Sequence, residues 1–311
     1  MSIPSSFAIV GPTASGKSAL AQQLALDLGS VELVSVDAIA VYRGLDIGSD
    51  KPDAAARAAV AWHLLDVAEL DEEFSASAFA ALARAARSEI AGRAARAGLV
   101  GGSGLYQRAL VDELAMPPRY PEVAALLEAE ADASGLAPLY ARLQDLDPLA
   151  AGRIEAGNRR RIVRALEVTL GSGRPFSAAG PGLERYPPSP VLQIGLAVER
   201  PELDRRIEAR LDRQLAAGFL EEVRELSGRP GGLSRTVRQA LGYRELLAHL
   251  DTGGDLASVR AEILRRTRRF ARRQQSWFGR DPRVHWLDAT APDLRERARA
   301  LLAEAGAGAG T

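Results

Sequence analysis

An α/β fold is predicted from this chain: a P-loop-containing parallel sheet flanked by helices, with a smaller all-helical insertion domain. Three observations carry it. Short apolar runs at residues 7–10, 31–36, 62–67 and 99–101 alternate with helical stretches, the pattern of a parallel sheet whose crossovers are helices. The first run leads straight into Gly11-Pro12-Thr13-Ala14-Ser15-Gly16-Lys17-Ser18, with an amphipathic stretch at 19–28 behind it. Between Met116 and Pro190 the alternation gives way to helical segments at 121–132, 136–146 and 159–170, bounded by Met116-Pro117-Pro118 and Tyr186-Pro187-Pro188-Ser189-Pro190. The expected organisation is therefore a core over 1–115, a helical insertion over 116–190, and completion of the core over 191–302 with strands at 191–198 and 284–287 and basic helices. The Ala/Gly-rich stretch 303–311 reads as a flexible tail.

The first element carries the clearest chemistry. Gly11 and Gly16 let the backbone fold round an anion with its N–H groups inward, and the helix behind presents its positive end. Lys17 adds a point charge, and Ser18 offers a hydroxyl to Mg²⁺. Of the 40 lysines and arginines only two are lysine, Lys17 and Lys51, so the one in this loop stands out: a compact ammonium fits against phosphate where a planar fork does not. The motif is shared with nucleotide-binding and ATP-binding proteins, and by itself it leaves the phosphate ligand open.

The second strand ends at Asp37, followed by Ala38-Ile39-Ala40. Ligands gather at the carboxyl ends of parallel strands, so Asp37 should face the loop anion as a Mg²⁺ ligand, a general base or a helix cap. Lys51 lies in a polar loop, either solvated or engaged with the site. The third run, Trp62-His63-Leu64-Leu65-Asp66, supplies another carboxylate of Walker B type, and His63 reads as a hydrogen-bonded core residue. The fourth run ends in Gly101-Gly102-Ser103-Gly104, whose glycines allow close backbone approach and whose Ser103 adds a hydroxyl at the same rim.

Composition bounds the rest. The 311 residues are 47% hydrophobic and 26% charged with zero formal net charge, so any nucleic-acid binding must come from local clusters. The absence of cysteine excludes disulfides, thiolate metal sites and cysteine catalysis. The chain shows no signal-peptide pattern and no apolar run near 18 residues, which makes a cytoplasmic protein with no membrane contact the expectation. Two arginine clusters then stand out. Arg159, Arg160, Arg161 and Arg164 open one predicted helix, and Arg265, Arg266, Arg268, Arg269, Arg272 and Arg273 lie on another that has no Asp or Glu from Ile263 to Arg280. Unbalanced basic patches in a neutral protein point to a polyanion rather than to solvated faces.

Taken in order, the segments at 11–18, 35–52, 62–67, 100–106, 160–168, 216–226, 236–247 and 266–288 resemble the tRNA dimethylallyltransferase (isopentenyl-diphosphate:tRNA transferase) family. The resemblance implies transfer of a dimethylallyl group from dimethylallyl diphosphate to the exocyclic amine of the adenine 3′-adjacent to the anticodon, in a monomer that grips the tRNA anticodon stem-loop. It implies a general base at Asp37 and further catalytic residues at Ser103, Arg238 and Arg244, with Mg²⁺ on Ser18. Contacts to tRNA are expected at Asp37, Ala38, Ile39 and Ala40, at Arg160, Arg161, Ile162, Val163 and Arg164, and at Arg268, Arg269 and Arg272.

The chain departs from the family pattern at four places: Ala38-Ile39-Ala40 replaces Ser-Met-Gln after the aspartate, and Trp62 replaces a histidine. Ser103 replaces a threonine, and Glu155-Ala156-Gly157-Asn158 replaces His-Pro-Asn-Asp. The alternatives are a small-molecule P-loop kinase, using Asp37 or Asp66 for Mg²⁺, and an RNA-binding homologue with a decayed site.

Overall fold

The computed structural model describes residues 5–114, 116–179, 182–183 and 185–308. The chain divides into two compact units, Met1–Val111 with Pro188–Thr311, and Asp112–Pro187.

In the first unit, β1 (Ser6–Val10), β2 (Val31–Ser35), β3 (Trp62–His63) and β4 (Arg96–Gly101) alternate with α1 (Lys17–Leu28), α2 (Ala54–Ala59), α3 (Ala76–Gly92) and α4 (Gly104–Val111). The second unit holds α5 (Pro121–Ser134), α6 (Ala137–Leu146), α7 (Pro148–Ala151), α8 (Arg159–Ser172) and a 3₁₀ turn at Phe176–Ala179. The first unit then resumes with β5 (Leu192–Ala197), α9 (Arg200–Ala216), α10 (Phe219–Ser227), α11 (Arg235–Gln239), α12 (Tyr243–Thr252), α13 (Leu256–Phe278), β6 (Val284–Asp288) and α14 (Leu294–Gly308). Among the described residues no helix is long and apolar enough to cross a membrane.

The six strands pair in parallel in the order β3-β2-β4-β1-β5-β6. β1 is apolar from Phe7 to Val10 because both faces are covered. Phe7 and Ile9 enter a cluster with Leu20, Leu24 and Leu302, while Ala8 and Val10 enter a second cluster with Phe79, Phe219 and Tyr243. The chain leaves β1 towards β2 on one side and leaves β4 towards β5 on the other. Adjacent strands with oppositely directed exits open a crevice at their carboxyl ends, and here it falls between the loops after β1 and β4.

Three expectations are corrected. The run 62–67 forms a strand only at Trp62–His63, because Leu64 (φ 61°) and Asp66 (φ 57°) take left-handed conformations that break the extended chain. β4 starts at Arg96, earlier than its apolar residues suggest. Gly98 is used there because Leu33 and Phe7 side chains lie 2.7 and 3.0 Å from where a Cβ would stand. Residues 303–308 continue α14, anchored by fully buried Ala298 and Leu302, while 309–311 of the expected tail lie outside the described residues.

The second unit packs its own core from Leu127, Leu139, Leu143, Ile162 and Leu166.

Candidate active site

The loop after β1 is shaped by two glycines. Gly11 has φ 143°, and a Cβ there would lie 3.0 Å from the Leu196 carbonyl oxygen. Gly16 has φ 92° and caps α1, which begins at Lys17, so the first free amides of the helix open onto the loop. Lys17 Nζ donates to the Pro12 carbonyl at 2.6 Å. Burial, reinforced by the Arg210 guanidinium, pushes the Lys17 ammonium down to about 8, with partial compensation from Asp37 and Asp50. Ser18 is exposed in the first turn, and the buried Ser15 hydroxyl has no hydrogen-bond partner among the described residues.

Two long side chains from the second half of the sequence complete this loop. Arg210 on α9 donates to Thr13 Oγ1 at 2.9 Å and lies 3.4 Å from Asp50. Gln274 on α13 accepts from the Thr13 amide at 2.8 Å and donates to the Gly102 carbonyl at 3.0 Å, so it spans the crevice between the loops after β1 and β4. Arg210 was not singled out from the sequence, and Gln274 stood there only as part of the family-like segment 266–288, with no role given to it. Arg210 is one of 40 basic residues, and only the fold shows which helix face meets the loop.

Asp37 follows β2. Its Oδ1 accepts from the Ile39 amide at 2.7 Å and the Ala40 amide at 3.2 Å, a turn-capping arrangement that fixes the carboxylate through one oxygen. Oδ2 has no protein hydrogen-bond partner among the described residues. Ser103 Oγ accepts from the Ala38 amide at 3.3 Å, tying the β4 turn to the Asp37 segment.

Thr13, Asp37, Ser103, Arg210 and Gln274 line one cleft of about 1260 Å³. Thr13, Asp37, Ser103 and Arg210 form a polar region, Ile39, Ile207, Leu211, Phe219 and Tyr243 add apolar wall, and Arg244, Arg265, Arg266, Arg269 and Arg273 supply positive charge. The loop at 46–48 is held by Glu222 on α10, which accepts from the Asp46, Ile47 and Gly48 amides at 2.9, 2.7 and 3.2 Å and from the Tyr243 hydroxyl at 2.7 Å. Burial and the Glu222 carboxylate together raise the Tyr243 phenol. Gly48 is required, because a Cβ would sit 2.2 Å from the Phe219 ring.

The structure sorts the other candidates. Ala38 and Ile39 line the cleft, whereas Ala40 is 5% exposed and packs in the core. Arg244 reaches the cleft; Arg238 does not line it, and instead stays exposed and donates to the Leu233 carbonyl. Arg268 is paired with Asp204 and Glu208 of α9, and Arg266 with Glu245 of α12, so carboxylates from neighbouring helices balance charges that looked unpartnered along α13. Arg265 pairs within its own helix with Glu262 at 2.7 Å, just outside the acid-free stretch. Arg269 and Arg272 are exposed and have no ion-pair partner among the described residues, and Arg273 stands over the Phe270 ring at 5.7 Å.

In the second unit Arg160 and Arg161 are exposed and have no ion-pair partner among the described residues. Ile162 and Val163 are 0% and 5% exposed in its core, so their side chains cannot meet tRNA. Arg164 lies 2.7 Å from the buried Glu167 carboxylate and donates to the Pro117 and Pro118 carbonyls, a structural task. Arg159 pairs with Glu128 and Asp132.

Lys51 is not solvated: its side chain is 1% exposed and donates to Tyr42 O, Asp46 and Asp66. Asp66 therefore spends one oxygen on Lys51 and the other on Arg57. His63 is hydrogen-bonded to Glu32 at 2.6 Å as expected, but it is half-buried on the edge strand β3 and not in the core.

A family model described as IPP transferase matches residues 40–281. The chain is 48% identical over 309 residues to the tRNA dimethylallyltransferase of Kineococcus radiotolerans, covering 96% of this chain and 97% of that one. The crystal structure of full-length tRNA isopentenylpyrophosphate transferase from Bacillus halodurans matches with a TM-score of 0.69 at 32% identity, covering 98% and 99% of the two chains. A eukaryotic dimethylallyltransferase acting on tRNA shares the fold with a TM-score of 0.76 at 22% identity, covering 95% of this chain and 77% of the other.

Proposed function

The chain belongs to the IPP transferase family, and from that premise we propose how its own residues carry the reaction. It is a prenyltransferase that modifies tRNA with the dimethylallyl group of dimethylallyl diphosphate. The acceptor in this reading is the exocyclic amine of the adenine 3′-adjacent to the anticodon. The supporting observation is that Thr13 of the phosphate loop, Asp37 and Ser103 line one cleft with the exposed Arg269 and Arg273 of α13.

An adenine amine is a weak nucleophile because its lone pair is delocalised into the ring. The allylic donor compensates by ionising readily, provided the departing charge is neutralised. In the proposed step the C–O bond to the diphosphate breaks, its electron pair leaves with the diphosphate, and the amine lone pair forms the new N–C bond. The loop amides, the α1 N-terminus, Lys17 and Arg210 neutralise the leaving group where charge develops. Asp37, held through Oδ1 by two amides, accepts the amine proton on its other oxygen. Ser103 holds the Ala38 amide and with it the Asp37 segment. Ile39, Phe219 and Tyr243 shield the prenyl group from water.

Among the described residues no group of three or more His, Cys, Asp or Glu could hold a metal ion. Ser18, exposed in the first turn of α1, is the residue that would hold a Mg²⁺ ion next to a bound diphosphate. When bound it would add to neutralisation of the leaving group.

Arg160 and Arg161 in the insertion, with Arg269, Arg272 and Arg273 on α13, would meet tRNA phosphates. In this reading the catalyst acts as a monomer, and its tRNA substrate supports a cytoplasmic one. The kinase alternative loses its second metal carboxylate, because both Asp66 oxygens are taken. A decayed site is disfavoured by the retention of Lys17, Ser18, Asp37 and Ser103.

The test is incubation of the protein with unmodified tRNA and labelled dimethylallyl diphosphate, followed by mass analysis of the nucleosides. One dimethylallyl group on the adenine next to the anticodon is expected. Label elsewhere in the tRNA, or none, would refute the reading.

A further inference from the structure

We infer that Gln274 is a positioning residue that sets the spacing between the diphosphate-binding loop and the Asp37 segment. The inference rests on the diphosphate reading of the loop after β1. In such a loop the backbone amides are expected to turn towards the anion. The Thr13 amide does not: it is donated to Gln274 Oε1 at 2.8 Å. The same side chain donates from Nε2 to the Gly102 carbonyl at 3.0 Å, and Gln274 is only 7% exposed.

Gly102 is the residue that makes room. A Cβ there would lie 2.1 Å from Gln274 Nε2, closer than any side chain tolerates. The residue after it, Ser103, accepts from the Ala38 amide, and Ala38 follows Asp37 directly. One hydrogen-bonded path therefore runs from Thr13 through Gln274 to the Gly102–Ser103 turn and on to Asp37. It crosses the crevice where the exits of β1 and β4 diverge.

A primary amide suits this place because its oxygen accepts from one loop while its nitrogen donates to the other. Arg210 locks the far side of the same residue through Thr13 Oγ1 at 2.9 Å. Gln274 needs no contact with the reacting atoms to act. Without it, one buried and one half-buried backbone group lose their partners, and the gap between leaving-group site and base is free to drift. Reacting groups tolerate little such drift.

The test uses the full chain with Gln274→Met, which keeps the shape and removes both bonds. Gln274→Glu keeps an oxygen for the Thr13 amide and loses only the donor to Gly102. Three quantities are read: pyrophosphate affinity by calorimetry, single-turnover transfer to an anticodon stem-loop RNA, and affinity for that RNA. For Gln274→Met the expected result is transfer slowed about tenfold or more and pyrophosphate bound about tenfold more weakly, with RNA affinity within about twofold of wild type.

Gly102→Ala should produce a similar loss, and combining it with Gln274→Met should add little, because both break the same link. If Gln274→Met fails to fold, the Glu variant still reads the Gly102 half, and slowed transfer is expected. Wild-type transfer and pyrophosphate affinity in either folded variant would overturn the inference, as would losses that multiply in the double variant. A wild-type protein that binds no pyrophosphate would instead bring down the diphosphate reading, and this inference with it.

Discussion

Arg210 Nη1 lies 2.9 Å from Thr13 Oγ1, bringing a guanidinium from α9 onto a loop formed 197 residues earlier in the chain. A planar fork beside a phosphate loop can take two phosphate oxygens at once. Arg210→Ala is therefore expected to weaken pyrophosphate binding by about tenfold to a hundredfold, the range for a charged hydrogen bond. Arg210→Lys should recover only part of it. Pyrophosphate titration by calorimetry checks this, and unchanged affinity in Arg210→Ala would return the residue to loop support alone.

Lys17 offers a pH test with a determined sign. Burial and Arg210 bring its ammonium down to about 8 from 10.5, so the amine loses its proton as pH rises through about 8. With only two lysines in the chain, and Lys51 enclosed by Asp46 and Asp66, an amine-acylating reagent read by mass spectrometry reports Lys17 cleanly. Labelling should rise with a midpoint near 8. Bound pyrophosphate favours the charged form and should move the midpoint upward, protecting the residue. A midpoint near 10.5 in the free protein would contradict the assignment.

The arginines of α13 divide into two groups with separable effects. Arg269, Arg272 and Arg273 are exposed, whereas Arg268 is spoken for by Asp204 and Glu208. Changing the first three together to Gln should weaken all substrate tRNAs alike and reduce the slope of log affinity against log salt by about two to three. Arg268→Gln should leave that slope nearly unchanged and instead lower thermal stability slightly. Equal slopes for the triple variant and wild type would send the RNA surface elsewhere.

Much of this was legible in the residues, and the misses share a physical cause. The phosphate loop is local: two glycines, a lysine and a serine at fixed spacing define it wherever the chain goes. The strands were legible because burial on both sheet faces leaves unbroken apolar runs such as Phe7 to Val10. The strand expected through Asp66 failed because its end is decided by left-handed backbone at Leu64 and Asp66, which no side-chain pattern announces. The α13 cluster looked wholly unbalanced because a helix read alone hides partners such as Glu245 and Glu208 on other helices. Arg210 carried no local signal, and Gln274 stood in a family-like segment without its role, since the meaning of both lies in contacts with Thr13 more than 190 residues away.

The central claim is that Asp37 removes the proton of the attacking amine while the phosphate loop holds the leaving group. Asp37→Asn keeps an oxygen for the Ile39 and Ala40 amides and removes the proton acceptor. Single-turnover transfer of labelled dimethylallyl to tRNA should then fall by about 10²–10⁴-fold, the usual worth of a general base, with tRNA and pyrophosphate affinities nearly intact. Fast transfer in this variant, or loss of pyrophosphate binding with the chemistry preserved, would contradict it.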